Sequence, residues 1–258
     1  MRALSASKLL SVWERAWAEP PGERALALLA AACPERTPDE LARLSVGRRD
    51  RLLLSLRERT FGPRVVGLVP CGRCSAPVEL TFDVADIRAH ETDGETGNGG
   101  GEAESGGETE ALTLRSGDYE VRFRLPNSLD LSAVAACRGV GEGERLMLSR
   151  CVLGVTAPTG REATADELPA HAREAVVARM AEADPQADVQ LALSCPVCGH
   201  DWLAPFDIVS YFWSEINAWA QRILGEVHTL ATVYGWRERD ILAMSPIRRH
   251  LYLDMIGG

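Results

Sequence analysis

Two short cysteine motifs, Cys71-Gly-Arg-Cys74 and Cys195-Pro-Val-Cys198, lie far apart in the chain and constrain its fold more than any other feature. Aligned on their cysteines, the segments that follow also coincide at Phe82-Asp83-Val84 and Phe206-Asp207-Ile208. One Cys-x2-Cys knuckle offers two thiolates, and a closed tetrahedral zinc shell needs four donors, so the two knuckles read as halves of one structural site. The predicted ligands are Cys71, Cys74, Cys195 and Cys198, holding one structural zinc per chain. A redox dithiol is the competing reading, but it needs an attacking cysteine at a helix N-terminus. Here strand-like residues precede both knuckles, Arg64 to Val69 and Asp188 to Leu193, and strand-like residues Val78 to Phe82 follow the first. That pattern is a zinc ribbon. His200, two positions beyond Cys198, is a substitute donor on paper, although four cysteines already close the shell.

Charge is distributed unevenly. The formal net charge is -9, yet residues 91–110 carry seven acidic residues, seven glycines and no basic residue, leaving 30 acidic against 28 basic residues elsewhere. The near-neutral remainder argues against a general polyanion-binding surface. The 91–110 stretch reads as a disordered acidic linker, because its composition cannot offset the entropy of ordering it. No apolar run approaches the roughly 18 residues needed to span a bilayer, and the first residues lack the apolar core of a secretion signal, so synthesis in the cytoplasm is expected. Seven cysteines fit a reducing compartment, and Cys33, Cys137 and Cys151 read as buried core residues.

The pattern along the chain predicts an α+β protein, mainly helical, with a central ribbon. Residues 1–62 form an N-terminal helical region; Thr37-Pro-Asp-Glu40 is a capping box, and a helix runs from Val46 to Thr60. Residues 63–90 hold the first half of the ribbon. Residues 111–187 hold a hairpin, Leu112 to Arg115 against Tyr119 to Leu125, and helices at about Leu129 to Cys137, Gly143 to Val152 and Asp166 to Ala183. The second half of the ribbon occupies 188–206. Residues 207–258 form a C-terminal aromatic helical segment, ended first at Gly235, with a further helix from Ser245-Pro246.

No catalytic constellation stands out. The five histidines are scattered without a His-Glu-x-x-His pair, there is no nucleophile elbow, and Gly139-Val-Gly-Glu-Gly143 lacks the strand and the Lys-Ser/Thr of a phosphate loop. The chain is expected not to be an enzyme. Tyr211, Phe212 and Trp213 are consecutive and must point around a helix, so one of Trp213 and Trp219 is expected to stay exposed as an anchor for a protein partner.

Several stretches carry a resemblance. Phe206-Asp-Ile-Val-Ser-Tyr-Phe-Trp213, Leu224-Gly-Glu-Val-His228, Tyr234-Gly-Trp236 and Arg248-Arg-His-Leu-Tyr-Leu253, together with Val121-Arg-Phe-Arg-Leu-Pro126, Leu129-Asp-Leu131 and the paired knuckles, resemble baseplate proteins and baseplate hub assembly chaperones of contractile phage tails and tail-like injection systems. The resemblance covers 60–90 and 112–256. It implies a non-enzymatic structural or assembly component, partnered by other baseplate or tail proteins and incorporated into a tail or tail-like particle, with no small-molecule substrate and no membrane insertion. The reading from another class is a nucleic-acid-binding or transcription-type zinc ribbon, with Arg237, Arg239, Arg248 and Arg249 as a basic patch beside Trp236.

Overall fold

The computed structural model describes residues 1–89 and 111–257. The expected disordered linker at 91–110 lies outside the described residues. In chain order the elements are α1 (Ala6–Ala16), α2 (Pro21–Ala32), α3 (Pro38–Arg43), α4 (Val46–Phe61), β1 (Arg64–Pro70), β2 (Pro77–Asp83) and α5 (Val84–Ile87). After the gap come β3 (Leu112–Ser116), β4 (Tyr119–Phe123), α6 (Ser128–Ala135), α7 (Val140–Cys151), β5 (Val152–Thr156), β6 (Glu162–Ala163) and α8 (Ala170–Ala183). The chain closes with β7 (Gln190–Ser194), β8 (Asp201–Pro205), α9 (Ile208–Tyr234), α10 (Glu238–Leu242) and α11 (Pro246–Gly257). This is an α+β protein, mainly helical, with small sheets.

Two compact units result, Met1–Glu35 with Asp207–Gly258, and Arg36–Phe206. The first is all helix. Its axis is α9, 27 residues long, which passes through Gly225 without a break and ends at Gly235, whose φ of 69° suits a residue lacking Cβ. Leu10 of α1, Ala220, Ile223, Val227 and Leu230 of α9, and Ile241 and Leu242 of α10 form its buried cluster, with Tyr252, Leu253 and Ile256 of α11 packed against it. On another side of α9, Arg24 of α2 donates to the Trp17 carbonyl at 2.9 Å and lays its guanidinium over the Trp213 ring, 4.8 Å from the centroid.

The second unit mixes sheet and helix. The expected hairpin exists, Leu112 pairing with Phe123 and Ser116 with Tyr119, but it belongs to a four-stranded antiparallel sheet in the order β3-β4-β5-β6. Val152 to Thr156 is thus a strand directly continuing a helix, and a short apolar run of this kind has no periodicity to separate strand from helix. The sheet contributes Val121, Phe123 and Val155 to a core completed by Ala172, Val176 and Met180, spaced four residues apart on α8. The expected helix start at Asp166 is instead a short 3-10 turn, Ala165–Glu167, because Pro169 caps the true helix at Ala170.

Helix starts are capped where the sequence places capping residues. Thr37 and Glu40 exchange reciprocal bonds, Glu40 accepting the Thr37 amide at 2.6 Å and Thr37 Oγ1 accepting the Glu40 amide at 3.2 Å. Ser45 caps α4, and a second cap comes from far along the chain: the Gly47 amide donates to the Asp184 carboxylate at 2.8 Å. A Cβ on Gly47 would stand 1.8 Å from Asp184 Oδ1. Gly47→Ala must therefore expel the carboxylate and leave a buried amide unpaired, which is expected to cost about 2 kcal/mol in chemical denaturation. A loss under 0.5 kcal/mol would show that this cap is dispensable.

Candidate metal centre

Each knuckle is the tip of a hairpin. In β1 and β2 the last paired residues are Pro70 and Pro77, and in β7 and β8 they are Ser194 and Asp201, so Cys71–Ala76 and Cys195–His200 form tips of equal length. Their backbones match bond for bond. The Cys71 amide donates to the Ala76 carbonyl at 2.9 Å and the Ser75 amide to the Cys71 carbonyl at 2.8 Å; the Cys195 amide donates to the His200 carbonyl and the Gly199 amide to the Cys195 carbonyl, both at 2.9 Å. Ser75 and Gly199, the residues after the second cysteines, have φ of 59° and 66°. This left-handed turn comes without steric cost to Gly199 and is uncommon for a serine.

The turns aim backbone N–H groups at sulfur. The Arg73 amide lies 3.4 Å from Cys71 Sγ. Amides of Ala76 and His200 reach Cys74 and Cys198, and those of Val197 and Cys198 reach Cys195. Such donors favour thiolate. The Cys195 thiol is lowered to about 7, first by the Cys198 amide. Cys198 is pushed up to about 12: its bond from the His200 amide favours ionisation, but burial and the neighbouring thiols outweigh it. Four sulfurs this close cannot all carry charge unless a cation sits among them.

The sulfur positions suit such a cation. Cys71 Sγ is 3.7 Å from Cys198 Sγ, Cys74 Sγ is 3.6 Å from Cys195 Sγ, and all four lie within 4.8 Å of one another. Metal–sulfur bonds of about 2.3 Å in a tetrahedron give edges of about 3.8 Å. A disulfide would bring two sulfurs to about 2.05 Å. Cys71 and Cys195 are 1% exposed, Cys198 is partly covered and Cys74 faces outward. Val78 and Trp202 pack around the cluster, and Phe82 meets Phe206 edge to face at 5.4 Å, clasping the two hairpins at their bases. His200 lies flat on Trp202, 5.6 Å between centroids, outside the sulfur group. The repeated Phe-Asp-aliphatic triplet is the way out of each hairpin. Asp83 and Asp207 precede α5 and α9, and Asp207 Oδ1 accepts the Val209 amide at 2.9 Å.

Other expected positions fall differently. Trp213 is only 8% exposed, against the expectation that consecutive aromatics leave one outside: α1, α2, α10 and α11 pack on α9, so more than one stripe of it is covered. Trp219 is half-buried beside the α9 cluster. Of the four arginines beside Trp236, Arg249 is buried and donates to Glu226 at 2.6 Å, and Arg239 is ion-paired with Asp240 at 3.5 Å. Trp236 itself stacks on Tyr234 at 4.5 Å. Cys33 and Cys151 are buried as expected, whereas Cys137 is half-exposed because it sits where α6 ends at an open groove. Burial and then Asp130 push the Cys151 thiol up to about 11, which disfavours the thiolate.

One buried charge centre went unread in the sequence. Asp130 has a fully buried carboxylate that accepts from Arg124 at 2.5 and 2.9 Å, from Arg150 at 2.8 Å and from the Asn127 amide at 3.0 Å. Burial alone pushes this carboxyl up, but Arg124, the Asn127 amide and Arg150 prevail and hold it below the ordinary carboxylate range. The available signal was Asn127-x-x-Asp130, a capping-box pattern just after Arg122 of β4 and Arg124 beyond its end.

A family model described as T4 bacteriophage base plate protein matches residues 18–213. The match takes in both knuckles and reaches into the N-terminal helices, which the resemblance read from residue 60 onward did not include. No curated protein matches the chain, and no solved structure does.

Proposed function

This chain belongs to the family of T4 bacteriophage base plate proteins, and from that premise we propose that it is a non-enzymatic part of a contractile tail or injection-system baseplate, or of its assembly, acting through protein contacts. The observation that carries this reading is a family match spanning three quarters of the chain and enclosing the whole four-cysteine centre. The metal we assign to that centre is zinc. Four thiolates at tetrahedral spacing are a soft, closed donor set with no open position for a substrate, and that is the chemistry of a structural site. It joins two hairpins whose cysteines come from distant parts of the sequence, so its role is to fix the ribbon as a rigid platform.

A non-enzymatic role is supported by how the reactive groups are engaged. The thiols of the knuckles face one another, the Cys151 thiol is raised, and the Asp130 carboxylate is neutralised by two guanidinia. Of the four arginines in the nucleic-acid reading's basic patch, Arg249 is buried in an ion pair with Glu226 and Arg239 is paired with Asp240, which weakens that reading. No described helix is long and apolar enough to cross a membrane.

Mass spectrometry of purified particles, with deletion of the gene, tests the proposal: loss of the protein should stop production of tails carrying a complete baseplate. Normal tails made without it would overturn the reading. For the partner surface, Trp213 and Trp219 are assigned different weights. Trp213→Ala is expected to cost about 3 kcal/mol of stability because its ring is covered, whereas Trp219→Ala should cost less and act chiefly on incorporation into particles. Equal losses of stability would place both in the core.

A further inference from the structure

The four-cysteine centre is covered unequally. Cys71 and Cys195, the first cysteine of each knuckle, are buried with Val78 as an inner layer, whereas of the second cysteines Cys74 faces outward and Cys198 is only partly covered. The close sulfur contacts run across this division and across the hairpins together. Cys74 Sγ lies 3.6 Å from Cys195 Sγ and Cys71 Sγ lies 3.7 Å from Cys198 Sγ, so each contact pairs a covered cysteine of one hairpin with a more open one of the other. Within a knuckle, by contrast, both cysteines belong to one tip, whose backbone is pinned by the Cys71–Ala76 and Ser75–Cys71 hydrogen bonds and by their counterparts at Cys195.

We infer, resting on the zinc assignment above, that the centre is a redox latch: on meeting a peroxide it exchanges its ion for two disulfides between the hairpins, Cys74 with Cys195 and Cys71 with Cys198. Cys74 Sγ, on the most exposed of the four residues, attacks one peroxide oxygen; the O–O bond breaks, hydroxide leaves and the sulfur becomes a sulfenic acid. Cys195 Sγ then attacks that sulfur, the S–O bond breaks, and a second hydroxide leaves as the disulfide forms. Two thiolates have lost two electrons and one peroxide has gained them. Cys198 and Cys71, the pair left over, repeat both steps with a second peroxide, which releases the ion to solvent. Each closure shortens an existing contact to about 2.05 Å. A bond inside one knuckle would close a short loop and leave the hairpins unconnected, whereas these bonds join residues 121 and 127 positions apart and constrain the unfolded chain far more. The ribbon is thus held by the ion where thiols are kept reduced and by covalent bonds where they are not.

Hydrogen peroxide added to the zinc-loaded full chain tests this, in a Cys137→Ser background that removes the partly exposed thiol outside the centre. About four thiols should be lost for each zinc released to a metal-sensitive dye. Trypsin cuts after Arg73 and so separates Cys71 from Cys74; the expected product is one species of three peptides, 65–73, 74–88 and 180–222, with fragmentation between Cys195 and Cys198 assigning the pairs. The wild type yields the same peptides should the background change disturb folding. By hydrogen exchange, 64–83 and 190–205 should stay protected in the oxidised, metal-free chain and exchange at least about tenfold faster in chain stripped by chelator with reductant present. Any other pairing, sulfinic or sulfonic acids in place of disulfides, zinc retained in excess peroxide, or protection lost on oxidation would overturn the latch and leave the zinc assignment standing. A chain that carries no metal as purified would remove both.

Discussion

Replacing Cys71 with serine is expected to abolish stoichiometric metal binding and to unfold the ribbon in the second unit. Wild-type protein purified without chelator should carry one zinc per chain, and the variant close to none, by elemental analysis. The effect should be large because the ligands close a shell that the unfolded chain does not possess, and for structural zinc the binding free energy, on the order of 10 kcal/mol, is itself folding free energy. At their tips, apart from the sulfurs, the hairpins bury little. Only Cys71, Val78 and Cys195 form the buried part of the cluster at their tips, while Leu68 and Leu203 stand 71% and 66% exposed. Hydrogen exchange should therefore show simultaneous loss of protection in 64–83 and 190–205, two segments far apart in sequence, whichever of the four cysteines is replaced. Protection lost in one hairpin alone would mean that the two tips do not share an ion. A wild type that is metal-free and fully protected would remove the structural role of the site.

The ribbon was legible because its chemistry is written locally, twice. Cysteine spacing, the flanking strand residues and the Phe-Asp-aliphatic exit all fall within two short windows, 64–84 and 188–208, and each maps onto a hairpin tip, a paired strand and a helix cap. The capping box at Thr37 and the glycine stop at Gly235 were readable for the same reason. What the sequence concealed depends on packing between distant segments. Trp213 looked like a surplus aromatic because a single helix cannot bury three consecutive rings, and nothing near it announces that Arg24 will lie over it. The strand Val152–Thr156 is identifiable by its partners, chiefly β4, which supplies hydrogen bonds from residues some thirty positions earlier. Gly47 is an unremarkable helical glycine until Asp184 arrives to occupy the space of its missing side chain.

The buried Asp130 centre carries the other large expected effect. Asp130→Ala should destabilise the second unit by about 4 kcal/mol, because removing the carboxylate leaves Arg124 charged and poorly solvated at the junction of β4, α6 and α7. Arg150→Ala should cost no more than about 1 kcal/mol, since that side chain is 36% exposed and water can take over part of its role. Denaturant titration of the two variants distinguishes a buried node from an ordinary ion pair, and equal losses would sink the distinction. Acid provides a second readout. The folded-state pKa of Asp130 lies below its ordinary 3.8, so the stability it contributes is present in full above the unfolded value and is lost as pH falls through the folded one. The gap between wild type and Asp130→Asn should hence be widest near neutrality and narrow below about pH 4; metal loss in acid affects both chains alike and cancels in the difference. The position of this node explains its reach. Asn127, whose amide also donates to Asp130, bridges to Ser45 at the start of α4, and the Val46 amide donates to the Pro126 carbonyl at 3.0 Å. Arg49 donates to Ser128 at 3.3 Å in the same neighbourhood. One carboxylate thus anchors the corner where the sheet, the α6–α7 pair and the first turn of α4 converge, and its loss should lower protection in all three together, beyond the helix that contains it.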